Sequence, residues 1–135
     1  MTPVFADTCF YVAFLSRRDK RHKAAREWAS QQRTRILTTE FVLLEVANFC
    51  RSPNDRERFT AFVQALQTNP LTTIVPCEST WFERGLKRFS SRRDKEWSLT
   101  DCISFVVMED NGVTEALTDD HHFAQAGFTT LLARG

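Results

Sequence analysis

The chain has 135 residues, 42% of them hydrophobic and 26% charged, a composition typical of a folded globular protein and of one domain spanning residues 1–135. Eighteen Lys and Arg residues stand against 17 Asp and Glu residues, so the formal net charge is +1. The ordinary apolar share and the low counts of Gly and Pro, four each, exclude disordered and low-complexity classes, and the charge balance gives no sign of a generally basic surface. Only local clusters of charge could attract nucleic acid or a membrane.

Several features are those of a cytoplasmic protein. No apolar run approaches the ~20 residues needed to cross a bilayer, and residues 1–7 lack the basic start and apolar stretch of a secretory signal. The four cysteines lie far apart, with no C-x-x-C pair: Cys9, Cys50, Cys77 and Cys102. We therefore expect reduced, buried thiols rather than a disulfide framework or a zinc site.

Short strands alternate with helices in the first half of the chain. We predict a strand at 4–6, one or two helices including 22–32, and a second strand at 35–39. Residues 40–51 should form a helix that is apolar almost all round. A further helix is expected to begin behind Ser52, which can cap it.

The same alternation continues in the second half. We predict strands at 72–75, 114–118 and 128–132. Between them we expect an amphipathic helix beginning at Ser79, a helix ending near Met108 and capped by Ser98 or Thr100, and a short helix at 121–126. The helix at Ser79 should turn four apolar residues toward the core, namely Trp81, Phe82, Leu86 and Phe89, and a basic face outward.

This order of elements predicts the α/β class. Strands separated by helices need crossover connections, so we expect a three-layer α/β/α sandwich with a mostly parallel sheet of about five strands. In such sheets the ligand crevice lies at the carboxyl ends of the strands. Functional side chains should be sought at that edge.

Acidic residues stand where a charge is least expected. Asp7 ends the first predicted strand, Glu45 lies among apolar residues in mid-helix, and Asp101 begins an apolar helix. Asp119 and Asp120 end the fourth predicted strand. In a parallel sheet the acids that follow strands emerge at one edge, and the helix with Glu45 begins at that edge too.

Such acids predict a metal site. Burying an unpaired carboxylate costs several kcal/mol, so each one must be paired, protonated or bound to a cation. Oxygen ligands suit Mg²⁺ or Mn²⁺. These ions lower the pKa of an attacking water and neutralise charge on a phosphodiester, so the expected reaction is phosphodiester hydrolysis.

Structural roles remain open for each acid. Asp7 or Asp119 could cap a helix, and Asp101 could cap a helix or favour its dipole. Glu45 could pair with an arginine. Glu40 begins its helix, and we expect it to act as a cap there.

Four motifs follow one another along nearly the whole chain. They lie at Phe5-Ala6-Asp7-Thr8 and within 38–46, 98–105 and 116–123, and each contains at least one of the acids above. In this order and at this length the chain resembles PIN-domain proteins, and within them the VapC-type ribonuclease toxins of bacterial toxin–antitoxin pairs.

The resemblance implies a PIN-like fold and Mg²⁺-dependent endoribonuclease activity, with Mn²⁺ as a possible substitute. It further implies a homodimer and inhibition by a cognate antitoxin that lies across the active site. Asp7, Glu45 and Asp101 match acids of the family that bind metal and catalyse.

The last acid of the family pattern is matched by Asp120, because Phe123 follows three residues later as that motif requires. Asp119 is the second choice. Thr8 and Thr118 match the small hydroxyl residues that line the site in the family.

Basic and aromatic residues are candidates for RNA contacts. One basic stretch includes Arg17 and Arg18, and another includes Arg92 and Arg93. A solvated surface explains either stretch equally well. Trp97 could stack on an unpaired base, although packing in the core is the favoured role.

Other kinds of site are less well supported. His121 and His122 lie beside two acids, but adjacent side chains on a helix point apart, which disfavours a transition-metal site. A phosphotransferase of the haloacid dehalogenase type needs an Asp where Cys9 stands. Two alternatives remain: a non-catalytic binding module that holds a structural cation, and an RNA-maturation nuclease without a toxin role.

Overall fold

The structure, a computed structural model, describes residues 2–132, so the ends of the predicted domain at residue 1 and at 133–135 lie outside the described residues. Its strands are β1 (Val4–Ala6), β2 (Ile36–Thr39), β3 (Thr72–Val75), β4 (Glu115–Leu117) and β5 (Thr129–Thr130). They form one sheet in the order β3-β2-β1-β4-β5, and every pair of neighbours is parallel. The predicted α/β fold with a parallel five-stranded sheet is confirmed.

Helices provide the connections between the strands. They are α1 (Thr8–Leu15), α2 (His22–Ser30), α3 (Glu40–Phe49), α4 (Pro53–Thr68), α5 (Ser79–Ser91), α6 (Leu99–Asp110) and α7 (His121–Gln125). None of these helices has the length and hydropathy that a bilayer crossing requires.

The core lies around β1 and α6. Phe5 and Ala6 are fully buried, as expected for the central strand of a sheet covered on both faces. Residues 101–108 of α6 are all buried, so this helix is enclosed on every side. Each charged or polar group in these two elements therefore needs a partner nearby.

Predicted boundaries were too wide at three strands, of which the one predicted at 35–39 begins one residue later, at Ile36. The strand predicted at 114–118 pairs only over Glu115–Leu117, and the one predicted at 128–132 only over Thr129–Thr130. Strand β4 pairs with β1 at only two positions, opposite Phe5 and Ala6, and with β5 at only two, opposite Thr129 and Thr130. The helices predicted at 22–32 and 40–51 also end two residues sooner.

The orientation predicted for α5 is wrong. Phe82, Leu86 and Phe89 were expected in the core, yet they are 44%, 43% and 45% exposed. The helix faces α6 through Gly85 instead, where a Cβ atom would lie 2.3 Å from Cγ1 of Ile103. Glycine thus permits a close approach of two helices that a larger residue would prevent.

Ion pairs complete the contact between α5 and α6. Arg84 forms a bidentate pair with Asp110, and Arg88 forms one with Glu109. Acids of α6 therefore neutralise most of the basic face of α5. Trp81, the fourth residue expected in the core, is partly buried and packs against the core.

Two further expectations about burial are wrong. Cys77 is exposed because it lies in the loop after β3, although Cys102 is buried and all four cysteines are free as expected. Helix α3 was expected to be enclosed, but Leu44 is 60% exposed and Phe49 is 67% exposed.

Candidate active site

The strand order creates a crevice beside β1. After β1 the chain forms β2 and then β3 on one side of β1. It later forms β4 and β5 on the other side, so the strand order reverses at β1. Ligands bind in open parallel sheets at such a reversal, outside the carboxyl ends of the strands. Asp7 follows β1 directly, and Asp120 follows β4 after a short loop.

A groove at this edge collects acidic side chains, and we call it the acid groove. Six carboxylates line it: Asp7, Asp19, Glu45, Glu96, Asp101 and Asp120. Within the described part of the chain no lysine or arginine lines it. The four acids predicted as a site, which come from four separate segments, therefore share one groove.

Asp7 is the most deeply buried of these acids, at 4% exposure. It stands at the N-cap position of α1, but its side chain makes no capping bond, so the simple capping alternative is wrong. Thr118 donates its hydroxyl to Oδ2 at 3.1 Å. Burial, together with the charges of Asp101 and Asp120, raises the pKa of Asp7 to about 7.

Asp101 has both a capping role and a place in the groove. Its Oδ2 accepts from the backbone N–H of Ser98 at 3.1 Å, while the Ser98 hydroxyl accepts from the Asp101 N–H at 3.0 Å. The predicted cap at Ser98 is thus confirmed. Burial raises the pKa of Asp101, and the charge of Asp120 adds to this, although bonds from Ser98 and His122 oppose it.

The two adjacent acids after β4 have different surroundings. Asp120 lines the groove, and its Oδ1 accepts from the backbone N–H of His122 at 2.8 Å, which caps α7. Asp119 instead lies 2.5 Å from Nε of Arg21 and is not among the lining residues. Burial alone would raise the pKa of Asp119, but bonds from Arg21 and Cys9 lower it overall.

Glu45 is held by a hydroxyl rather than by a cation. Thr8 donates to its Oε1 at 2.6 Å. No lysine or arginine among residues 2–132 pairs with Glu45, so the predicted alternative of an arginine partner is not found there. Glu40 accepts from the backbone N–H of Cys77, and the N-terminus of α3 is capped by Thr39 instead.

His122 is a groove residue to which the sequence assigned no role. Its Nδ1 lies 3.1 Å from Oδ2 of Asp101 and 3.4 Å from Oδ1 of Asp120. The expectation that the two histidines point apart is wrong, since the rings of His121 and His122 have centroids 4.4 Å apart. The signal that could have found His122 is its place two residues after an acid that caps a helix.

The arginines predicted to contact RNA differ in their surroundings. Arg17 and Arg18 are exposed and line a second groove that adjoins the acid groove. Arg92 and Arg93 are both exposed, and Arg92 is paired with Asp94 at 3.0 Å. Because they line a groove next to the acid groove, Arg17 and Arg18 are better placed to meet a substrate.

Trp97 packs in the core rather than facing a ligand. It is 6% exposed, and its ring meets Phe105 edge-on at 5.1 Å between centroids. Its Nε1–H donates to Gln125, and the guanidinium of Arg92 covers its ring at 5.0 Å. The favoured packing role is confirmed.

The chain is similar to known proteins in sequence. Residues 4–129 match the family described as PIN domain. Two relatives from Mycobacterium tuberculosis, of strains CDC 1551 / Oshkosh and ATCC 25618 / H37Rv, are 31% identical over 129 residues, which is 93% of this chain and 95% of theirs. Both are named 23S rRNA-specific endonuclease VapC20.

Solved structures show the same fold. The crystal structure of Mycobacterium tuberculosis VapC20, described as a sarcin–ricin loop cleaving toxin, superposes with a TM-score of 0.82 at 23% identity and covers 93% of this chain and 96% of that one. FitAcB from Neisseria gonorrhoeae superposes with a TM-score of 0.65 at 12% identity, over 95% and 96% of the chains. The resemblance predicted from the four motifs is confirmed.

Proposed function

Because the chain belongs to the PIN-domain family, whose members are metal-dependent nucleases, we propose that it is a Mg²⁺- or Mn²⁺-dependent endoribonuclease. Asp7, Glu45, Asp101 and Asp120 would hold the metal. One observation carries the proposal: carboxylates from four separate segments line one groove in which the described residues place no lysine or arginine. Such a groove repels a phosphate unless cations occupy it.

The donor set suits a hard divalent ion. Carboxylate oxygens are the ligands that Mg²⁺ and Mn²⁺ prefer. The raised pKa of Asp7 records burial and repulsion from neighbouring acids, and a bound cation offsets both. The Cys9 thiol also lines the groove, but burial raises its pKa, so it remains a neutral thiol and a poor ligand for such ions.

The chain's own residues prepare this site for a substrate. When bound, the metal lowers the pKa of an attacking water and neutralises charge on the phosphodiester. Thr118 orients Asp7 and Thr8 orients Glu45, each through a hydroxyl hydrogen bond. Fixed carboxylates need little rearrangement when the reaction begins, which favours catalysis.

The names of the relatives support a narrower proposal. We propose that this chain is the toxin of a toxin–antitoxin pair, that ribosomal RNA is the first substrate to test, and that a cognate antitoxin binds it. A cytoplasmic location fits an RNA substrate. The alternative of an RNA-maturation nuclease predicts cleavage without growth arrest.

We also propose a homodimer, in which the exposed apolar residues of α5 form part of the interface. Phe82, Leu86 and Phe89 recur at helical spacing, so they form one stripe. Sedimentation of the wild type should give twice the mass of one chain, and Leu86→Glu should give a monomer. A monomeric wild type would contradict the dimer.

Cleavage assays test the proposed nuclease. The purified protein should cleave single-stranded and ribosomal RNA with Mn²⁺ or Mg²⁺ and lose this activity in EDTA. Asp101→Asn should lower the rate at least ~100-fold, because it removes a charged ligand from the metal. Asp94→Asn, an exposed acid outside the groove, is the matched control.

Three outcomes would contradict the proposal. Cleavage that persists in EDTA rules out the metal mechanism, and full activity in Asp101→Asn removes that residue from the site. Binding of the metal without any cleavage would instead favour the non-catalytic module. Induced expression that arrests growth with the wild type, and not with Asp101→Asn, would separate the toxin from a maturation nuclease.

A further inference from the structure

Phe49 is an exposed aromatic residue beside the acid groove. It is the last residue of α3, one turn beyond Glu45, and 67% of it is exposed, more than any other large apolar residue in the described part of the chain. Its neighbour Asn48 lines the acid groove with it. An aromatic ring left in water at the edge of a functional groove points to a ligand that covers it.

Phe49 also lines the second groove, which we call the arginine groove. Val12 and Phe49 are the two residues that both grooves share. An RNA strand that passes from the carboxylates into the arginine groove must therefore cross these two residues. Of the two, Phe49 presents the larger flat surface.

The two grooves have opposite charge. Arg17, Arg18 and Arg58 line the arginine groove with a single acid, Asp55. Arg58 is held in place, because it donates to the carbonyl of Leu15 and lies 3.6 Å from Asp55. Among residues 2–132, Arg17 and Arg18 have no ion-pair partner, so their charges are available to a ligand.

This order of charge and ring matches the repeat of a single-stranded RNA. Each nucleotide offers one phosphate, which arginine binds, and one base, which stacks on an aromatic face. We propose that Phe49 is the stacking platform for an unpaired base next to the scissile phosphate, and that Arg17, Arg18 and Arg58 bind the following phosphates. This inference rests on the proposed nuclease function and adds a subsite to it.

A segment of a protein partner is the other occupant that an apolar groove could take. The charge favours RNA, because three guanidinium groups face the groove with one carboxylate. The continuity with the acid groove favours RNA as well, since a substrate strand must extend beyond the site of cleavage. A protein partner is therefore an outcome of the test.

Binding and cleavage of RNA test the subsite together. A fluorescein-labelled single-stranded RNA is titrated in Ca²⁺, with gels to verify that it stays intact, and its cleavage is then measured in Mn²⁺. Phe49→Ala should weaken RNA binding roughly 10-fold or more, and Phe49→Leu should do the same because it keeps apolar area without a π face. Phe49→Trp should bind RNA as tightly as the wild type. Leu44 is exposed on the same helix but lies outside both grooves, so Leu44→Ala should leave RNA binding unchanged.

The arginines are tested by salt. Each phosphate that a protein neutralises on a single strand contributes about 0.7 to the slope of log affinity against log salt. Replacing Arg17 and Arg18 together by alanine should therefore reduce that slope by about 1.4. A slope equal to that of the wild type would overturn their role.

The failures of the two proposals are distinguishable. If the wild type cleaves RNA while Phe49→Ala binds and cleaves equally well, the subsite is overturned and the nuclease stands, with the groove left to a protein partner. If Phe49→Leu binds RNA as tightly as Phe49→Trp does, simple apolar contact and not stacking explains the subsite. If the wild type fails to cleave any RNA with either metal, the nuclease proposal falls and the subsite falls with it.

Discussion

The side chain of His122 lies against that of Asp101, with 3.1 Å between Nδ1 and Oδ2. The backbone N–H of the same histidine donates to Oδ1 of Asp120 at 2.8 Å. One residue therefore fixes two of the carboxylates that we propose as metal ligands. Groups of this kind orient the ligands of a metal without touching it themselves.

We expect His122→Ala to weaken Mn²⁺ binding about 10-fold or more, because Asp101 loses the donor that orients it. His122→Asn, whose amide can donate from a similar place, should recover part of the affinity. Titration calorimetry with Mn²⁺ measures the change directly. Asp94→Asn is the control, since this exposed acid lies outside the groove; equal affinities in all variants would remove His122 from this role.

Replacement by asparagine should affect the cleavage rate differently at the adjacent acids Asp119 and Asp120. Asp120→Asn should lower cleavage at least ~100-fold, because it removes a charged ligand. Asp119→Asn should retain activity within several-fold but lower the stability by about 1 kcal/mol, since it weakens a partly buried pair with Arg21. Rates and urea unfolding of both variants test this, and the reverse order of activities would assign the site to Asp119.

Asp7 should make the metal-free protein less stable as the pH rises. Its folded pKa of about 7 lies above the ordinary 3.8, so between these values the folded state binds more protons than the unfolded state. Stability therefore falls from about pH 4 to pH 7 and then stays level. Asp7→Asn removes this cost, so in EDTA at pH 7.5 the variant should be more stable than wild type by about 2–4 kcal/mol.

Urea unfolding at pH 4 and pH 7.5 in EDTA isolates this effect as the difference between variant and wild type. The difference should nearly vanish at pH 4, where Asp7 is protonated in the folded protein. Adding Mn²⁺ at pH 7.5 should reverse the order, because only the wild type binds the ion well. A difference that is the same at both pH values would contradict the raised pKa.

Gly85→Ala should destabilise the fold by about 1–3 kcal/mol, although alanine favours helix formation. The new Cβ would lie 2.3 Å from Cγ1 of Ile103 and 3.1 Å from its Cα. Thermal unfolding measures the loss, and Ile103→Val in the same chain keeps both the γ carbons and the backbone contact, so it should recover little. Full stability of Gly85→Ala would show that α5 can move away from α6 at no cost.

Local pattern was sufficient for the fold and for much of the groove. Asp7 and Asp101 could be predicted because each interrupts or begins an apolar segment, where a charge is costly. The choice between Asp119 and Asp120 could be made only from the family motif. Asp119 is paired with Arg21, which is 98 residues away in the chain. No periodicity in the sequence indicates that contact.

The errors have a physical cause as well. An amphipathic pattern shows that α5 has an apolar stripe but not whether the stripe meets the core, and Gly85 provides the face that does. His122 was considered only as a transition-metal ligand, because its contact with Asp101 joins residues that are 21 positions apart. Phe49 was expected to be enclosed because most of the helix predicted at 40–51 is apolar.

In the acid groove the described residues place no lysine or arginine, and this makes two equilibria depend on each other. Divalent ions neutralise the carboxylates and so strengthen the binding of a polyanion, and by reciprocity the polyanion strengthens the binding of the ions by the same factor. Each would be held more firmly when the other is bound. The concentration of free magnesium would then set how long the protein stays on an RNA, independently of how fast it cuts.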